Sequence, residues 1–131
     1  MNREIEAVQL EVIDAWLDAK VSQRYKDQPL AQDWARVTKV VEEAGEAIEE
    51  LILWTGQNPR KQDPGFSAEL TDLLDELADT AATALLGMTH FTKDGPRTLA
   101  IFRSKLSTIY DRARNAGFAE EVIAQAPRIP S

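Results

Sequence analysis

The chain has 131 residues, 44% of them hydrophobic and 28% charged, a balance that supports one globular domain with a buried core. Its formal net charge of -7 argues against the basic stripe that a nucleic-acid polymer requires, so no polymer partner is expected. The absence of cysteine excludes disulfides and zinc-thiolate sites, and with neither a signal-peptide pattern nor a membrane-spanning run a cytoplasmic location is the expectation.

Ile5, Val8, Val12 and Trp16, with Leu17 alongside, recur at helical spacing and predict a first helix over about residues 3–21. Residues 22–31 are polar, contain Pro29 and read as a connecting loop. Asp33 is a candidate N-cap for a second helix over 33–55, whose apolar stripe runs through Val37, Val40, Val41, Ala44, Ala47, Ile48, Leu51 and Ile52. Gly56 and Pro59 stop it, and residues 57–66, with Pro64, form a second loop. Ser67 caps a third helix over 67–90 that carries Leu70, Leu73, Leu74, Leu77, Ala81, Ala84 and Met88. Gly95 and Pro96 punctuate the turn into a fourth, over 96–116, with Leu99, Phe102, Leu106, Ile109 and Ala113 facing inward and Gly117 just past its end. Residues 118–131 form a tail broken by Pro127 and Pro130. No strand-like alternation competes, so the predicted architecture is all-α, a bundle of four main helices.

Within this frame one pattern occurs twice. Val41-Glu42-Glu43-Ala44-Gly45-Glu46 and Leu74-Asp75-Glu76-Leu77-Ala78-Asp79 both run apolar, acid, acid, apolar, small, acid. At about 100° per residue, Glu43 and Glu46 share one flank of the second helix, and Glu76 and Asp79 one flank of the third. In an antiparallel hairpin, residues equally far from the turn stand level, which sets Glu46 near Glu76 and Glu43 near Asp79. Periodicity leaves open whether both pairs enter the shared groove or both turn away from it.

If they converge, carboxylates about 4 Å apart repel by roughly 4 kcal/mol per pair at an effective dielectric near 20, a cost that a hard divalent cation removes. All-oxygen ligation without His or Cys suits Mg²⁺, with Mn²⁺ as a substitute. The competing account is a non-catalytic helical interaction module whose acids solvate its surface. A di-iron or di-manganese bundle is disfavoured, because it calls for Glu-x-x-His on two helices and the single histidine, His90, has Gly87 three residues before it. An isolated histidine near a helix end is expected to be a surface or capping residue.

The two motifs resemble the signatures of the MazG-like all-α nucleoside triphosphate pyrophosphohydrolases, a superfamily that includes the dimeric dUTPases. Glu42-Glu43-Ala44-Gly45-Glu46 matches the EExxE signature and Glu76-Leu77-Ala78-Asp79 the ExxD signature, with Val40-Val41 and Asp75 matching in the flanks. The likeness covers the second and third helices. It implies that Glu43, Glu46, Glu76 and Asp79 ligate Mg²⁺, and that Glu42 binds a further metal or activates the attacking water. Glu69-Leu70-Thr71-Asp72 also satisfies the second motif, which keeps Asp72 as an alternative ligand, and a role for Asp75 stays open.

The implied reaction is attack of water on a nucleoside triphosphate, releasing pyrophosphate and a monophosphate, with phosphoribosyl-ATP pyrophosphohydrolase as the related enzymatic alternative. Lys105, Arg112 and Arg114 of the last helix are available to bind phosphates. Trp16 and Trp34 are available as platforms for the base, although a tryptophan in a small bundle is first of all a core residue. Relatives form dimers or tetramers, so a homodimer or homotetramer is expected. Base and sugar preference are not legible in these motifs.

Overall fold

The computed structural model describes residues 4–25, 28–56 and 70–118. Among them are four α-helices and no strand: α1 (Ile5–Arg24), α2 (Pro29–Thr55), α3 (Leu70–Thr92) and α4 (Gly95–Asn115). The all-α expectation holds. None of these helices is long and apolar enough to cross a membrane. The chain divides into two compact units, Met1–Thr98 and Leu99–Ser131, with the boundary inside α4. In the first unit α2 and α3 make the main contact, and α1 packs on both.

The helix ends follow local chemistry, with two corrections to the predicted boundaries. Pro29 opens α2 instead of lying in a loop, because the first helical positions need no N–H donor and favour proline's fixed φ. Asp33 therefore sits inside α2 and is not its N-cap; Gln28 takes that place without a side-chain cap bond. Gly56 closes α2 in the left-handed conformation at φ 70°, its N–H reaching back to the Ile52 and Leu53 carbonyls. Past α4, Gly117 adopts φ 89°. The predicted loop 57–66, the Ser67 cap and the prolines of the tail lie outside the described residues.

The α3–α4 connection is tight. Lys93 takes a left-handed φ of 53° just past α3, and Asp94 caps α4, accepting the Arg97 N–H on its Oδ1 at 2.9 Å. Gly95 then presses on α1, where an added Cβ would run into the Ala7 backbone carbonyl. Its own N–H donates to Glu11 Oε1 at 3.2 Å. Neither backbone can yield cheaply, so Gly95→Ala is expected to destabilise the protein by about 1–3 kcal/mol, read as a lower urea midpoint at unchanged slope. An unchanged midpoint would show that this contact is not close in solution.

The buried faces coincide with the apolar stripes of the sequence only at their edge, where Ala47 and Leu73 belong to both. On α1, Ala7, Leu10 and Asp14 are buried, whereas Ile5, Val8, Val12 and Trp16 on the opposite side are exposed. On α2 the buried positions are Arg36, Glu43 and Ala47, and Val41 and Ile48 point to solvent. On α3, Leu73, Gly87 and Thr89 are buried while Leu70, Leu74 and Leu77 are exposed. Small and polar residues let the helices approach closely, and the bulky aliphatic stripes are left outside. On α4, Leu99 is buried, and Phe102, Leu106, Ile109 and Ala113 are exposed.

The numbering across the α2–α3 contact runs in opposite directions. Asp33 meets His90, Arg36 reaches the Leu86 carbonyl, and Glu46 faces Glu76. The two helices are antiparallel, and the expected Glu46–Glu76 pair stands together; Glu43 joins that pair, with Asp79 outside the group.

Candidate functional site

Because α2 and α3 turn their small and polar faces toward each other, the acidic motifs enter the contact. Carboxylate oxygens of Glu43, Glu46 and Glu76 lie within 4.8 Å of one another, an arrangement able to hold a metal ion. Glu43 is buried, Glu46 is exposed at the edge, and Glu76 lies between these extremes. Lys39, one turn before Glu43, places its Nζ 2.9 Å from Glu43 Oε1 and 2.9 Å from Glu42 Oε1. Those bonds, Glu43 first, hold the Lys39 ammonium well above its ordinary range.

Lys39 compensates Glu43 and leaves the other two acids facing each other. Withdrawal from water, then the charge and hydrogen bond of Glu46, then Asp79 and Glu43, push the Glu76 carboxyl above the ordinary glutamate range. Its Oε2 is buried and meets no hydrogen-bonding partner. An orphaned oxygen among crowded carboxylates fits a hard cation, since an all-oxygen donor set is what Mg²⁺ takes. Glu43, Glu46 and Glu76 are the residues that would hold it.

This geometry gives a pH dependence of definite sign. A raised folded-state value means that Glu76 binds its proton more tightly in the folded chain than in the unfolded one. Its stabilising contribution is complete below the ordinary glutamate range and is lost as pH rises through the raised value. Asp18 works in the opposite sense: partial burial disfavours its charge, but Lys93, His90 and Arg36 outweigh that and lower its value, so its contribution is lost as pH falls. In EDTA, urea stability is therefore expected to decline as pH rises past the ordinary glutamate range, and saturating Mg²⁺ to flatten the decline. Equal slopes with and without Mg²⁺ would separate the Glu76 environment from any cation site.

The other expected site residues are more dispersed. Asp79 is exposed one turn along α3 from Glu76, outside the group of three but near enough to act on Glu76's charge. Glu42 is exposed at the rim, held by Lys39. Asp72 and Asp75 are exposed on α3. Lys105, Arg112 and Arg114 are exposed on the part of α4 that belongs to the second unit. Neither expected platform tryptophan is a core residue. Trp16 is exposed, with the Lys20 ammonium 3.9 Å from its ring centroid, and Trp34 borders an open groove of about 760 Å³ with Tyr25, Pro29 and Leu30.

A second charged network, not anticipated from the motifs, lies where α1 crosses α2 and α3. Asp14, 4% exposed, pairs with Arg36, 6% exposed, and also accepts from Lys93 Nζ at 2.9 Å. Lys93 further reaches Asp18 at 2.7 Å. The expectation that His90 is a surface or capping residue is overturned. Its side chain is 8% exposed, with Nε2 2.7 Å from Asp33 and Nδ1 3.4 Å from Asp18. Asp14 and Asp18 interrupt the apolar pattern of α1 four residues apart, and that spacing was the available signal.

The chain matches no family model, no curated protein and no solved structure.

Proposed function

We propose that the protein is a Mg²⁺-dependent nucleoside triphosphate pyrophosphohydrolase of the MazG-like type, working on nucleotides in the cytoplasm. The observation that carries this is the meeting of Glu43, Glu46 and Glu76 across α2 and α3, from motifs that resemble that family's. A metal bound there supplies charge neutralisation for phosphate oxygens and a more acidic water. Glu43 and Glu76 would hold it from opposite helices, Glu46 would complete the group from the edge, and Asp79 adds negative charge beside Glu76. At the rim, Glu42 would activate the attacking water or bind a further metal. Lys39, 2.9 Å from Glu43 and from Glu42 beside the cluster, would offer its ammonium to an incoming phosphate.

The exposed aliphatic stripes support assembly with further copies. Val41 and Ile48 on α2 and Leu74 and Leu77 on α3 are too many large apolar side chains to leave in water without a partner surface. A homodimer or homotetramer is the proposed state. Light scattering at micromolar concentration tests this, and a monomer would refute it.

The activity is tested by incubating the purified protein with Mg²⁺ and a panel of nucleoside triphosphates that includes phosphoribosyl-ATP. Release of pyrophosphate from at least one member is the expected result. Its absence from all of them would leave the acidic cluster without a hydrolytic role.

A further inference from the structure

Asp14 and Asp18 stand one turn apart on α1 and meet the last turn of α3, where His90 brings in the chain's single imidazole. Ligand atoms of these three residues lie within 4.8 Å of one another, a second group able to hold a metal ion, separate from Glu43, Glu46 and Glu76. The histidine adds an observation that the acids alone do not. Its side chain is 8% exposed, and its Nε2 lies 2.7 Å from Asp33 Oδ1. A carboxylate only accepts, so Nε2 carries the proton and Nδ1 of the neutral ring is a lone pair. That nitrogen is buried, makes no hydrogen bond, and faces Asp18 Oδ1 at 3.4 Å. Two acceptors turned toward each other call for positive charge between them. The separation is long for an N–H···O hydrogen bond, so a proton on Nδ1 fills the gap poorly. Ligands bound at about 2.1 Å to a tetrahedral Zn²⁺ are themselves about 3.4 Å apart.

We propose that Asp14, Asp18 and Nδ1 of His90 bind a divalent transition-metal ion, with Zn²⁺ preferred over Mg²⁺, and so clasp α1 to α3. An imidazole in the donor set selects such an ion over the hard cations that take oxygen alone. The bond from Nε2–H to Asp33 is the one that a metal-bound histidine makes through its other nitrogen, and it turns Nδ1 toward α1. Lys93 Nζ bridges the two acids, 2.9 Å from Asp14 and 2.7 Å from Asp18. Its half-exposed side chain can withdraw into water as the ion enters, and the partly exposed Asp18 leaves that side open. The exchange also improves the balance of charge. Asp14, Asp18 and Asp33 outnumber Arg36 and Lys93 by one, and a divalent ion in place of the ammonium makes the group neutral. This site does not depend on the pyrophosphohydrolase reading.

The test exploits the lone histidine. Untagged, ¹⁵N-labelled full-length protein is titrated with Zn²⁺ in excess Mg²⁺ and followed by long-range ¹H–¹⁵N spectra of the imidazole. Nδ1 is expected to move to the shift of a metal-bound nitrogen while Nε2 stays protonated. Co²⁺ in place of Zn²⁺ should show the visible absorption of a tetrahedral ion, and His90→Gln should abolish it. Asp18→Asn serves if that variant fails to fold. Lys93→Met, which removes the competing ammonium, should tighten Zn²⁺ binding, and Asp33→Asn should weaken it by roughly 10–100-fold. An imidazole that Zn²⁺ leaves unchanged, one that binds through Nε2, or a Co²⁺ absorption that survives in folded His90→Gln would each overturn the proposal. Repeating the Co²⁺ titration in Glu76→Gln separates the two sites: absorption should persist there, and its loss would assign the ion to the acidic groove instead.

Discussion

Glu76→Gln is expected to raise the melting temperature of the metal-free protein, to abolish its response to Mg²⁺ and to eliminate pyrophosphate release. Glutamine keeps the volume and hydrogen-bonding capacity of glutamate but removes the charge that Glu46, Asp79 and Glu43 oppose. Glu43→Gln differs in one informative respect. It gives up the Lys39 ion pair together with the repulsion, so no rise is expected in EDTA, yet the Mg²⁺ response and the activity should vanish equally. In the wild type, Mg²⁺ at one hundred times its dissociation constant adds about 2.7 kcal/mol if it binds only the folded chain. For a domain of this size that is a rise on the order of 10 °C. The loss of activity should exceed the roughly 10–100-fold seen when groups behind a metal's ligands are altered. Thermal melts in EDTA and in Mg²⁺, with the exposed Glu49→Gln as control, separate these outcomes. A Mg²⁺ response that persists in both variants would remove these acids from any metal site.

The largest effect on stability is expected from Asp14→Ala. Asp14 and Arg36 are nearly inaccessible to water, and deleting the carboxylate strands the guanidinium in the interior. Breaking a buried pair in this way costs about 3–5 kcal/mol, a large part of the 5–15 kcal/mol that holds a typical domain folded. Lys93 loses one of its two carboxylate partners at the same time. Removing both charges with Asp14→Leu and Arg36→Met should recover much of the loss, since a well-packed apolar pair replaces a buried ionic one at little net cost. Urea denaturation of the single and double variants measures the difference. A single variant within about 0.5 kcal/mol of wild type, the range of ordinary surface changes, would mean that water reaches the pair in solution.

Asp33 shows how the helix ends were legible and where that legibility stopped. Gly56 and Gly117 terminate helices as expected, because left-handed φ is a local demand that glycine meets at the least steric cost. A polar residue before an apolar stripe looks like a cap, but Pro29 starts α2 earlier and frees Asp33 to hold His90, 57 positions away. Nothing in the local pattern around Asp33 specifies that partner. The candidate site divides in the same way. The spacing of Glu43, Glu46, Glu76 and Asp79, and the distance of each from the turn, led to a level antiparallel pair, and Glu46 does stand opposite Glu76.

The sequence by itself determined the four helices, the stops of α2 and α4 and the register of the acidic motifs, since these follow from a 3.6-residue period and from turn chemistry that act within a few residues. Only the tertiary structure decided which face of each helix turns inward. Periodicity reports that a helix has two unlike faces but not which one finds a neighbour. Here Ala7, Ala47 and Gly87 permit close approach, and the buried Asp14–Arg36 pair and Glu43 occupy the contact. The carboxylates therefore enter the groove between α2 and α3, and Val41, Ile48, Leu74 and Leu77 remain in solvent.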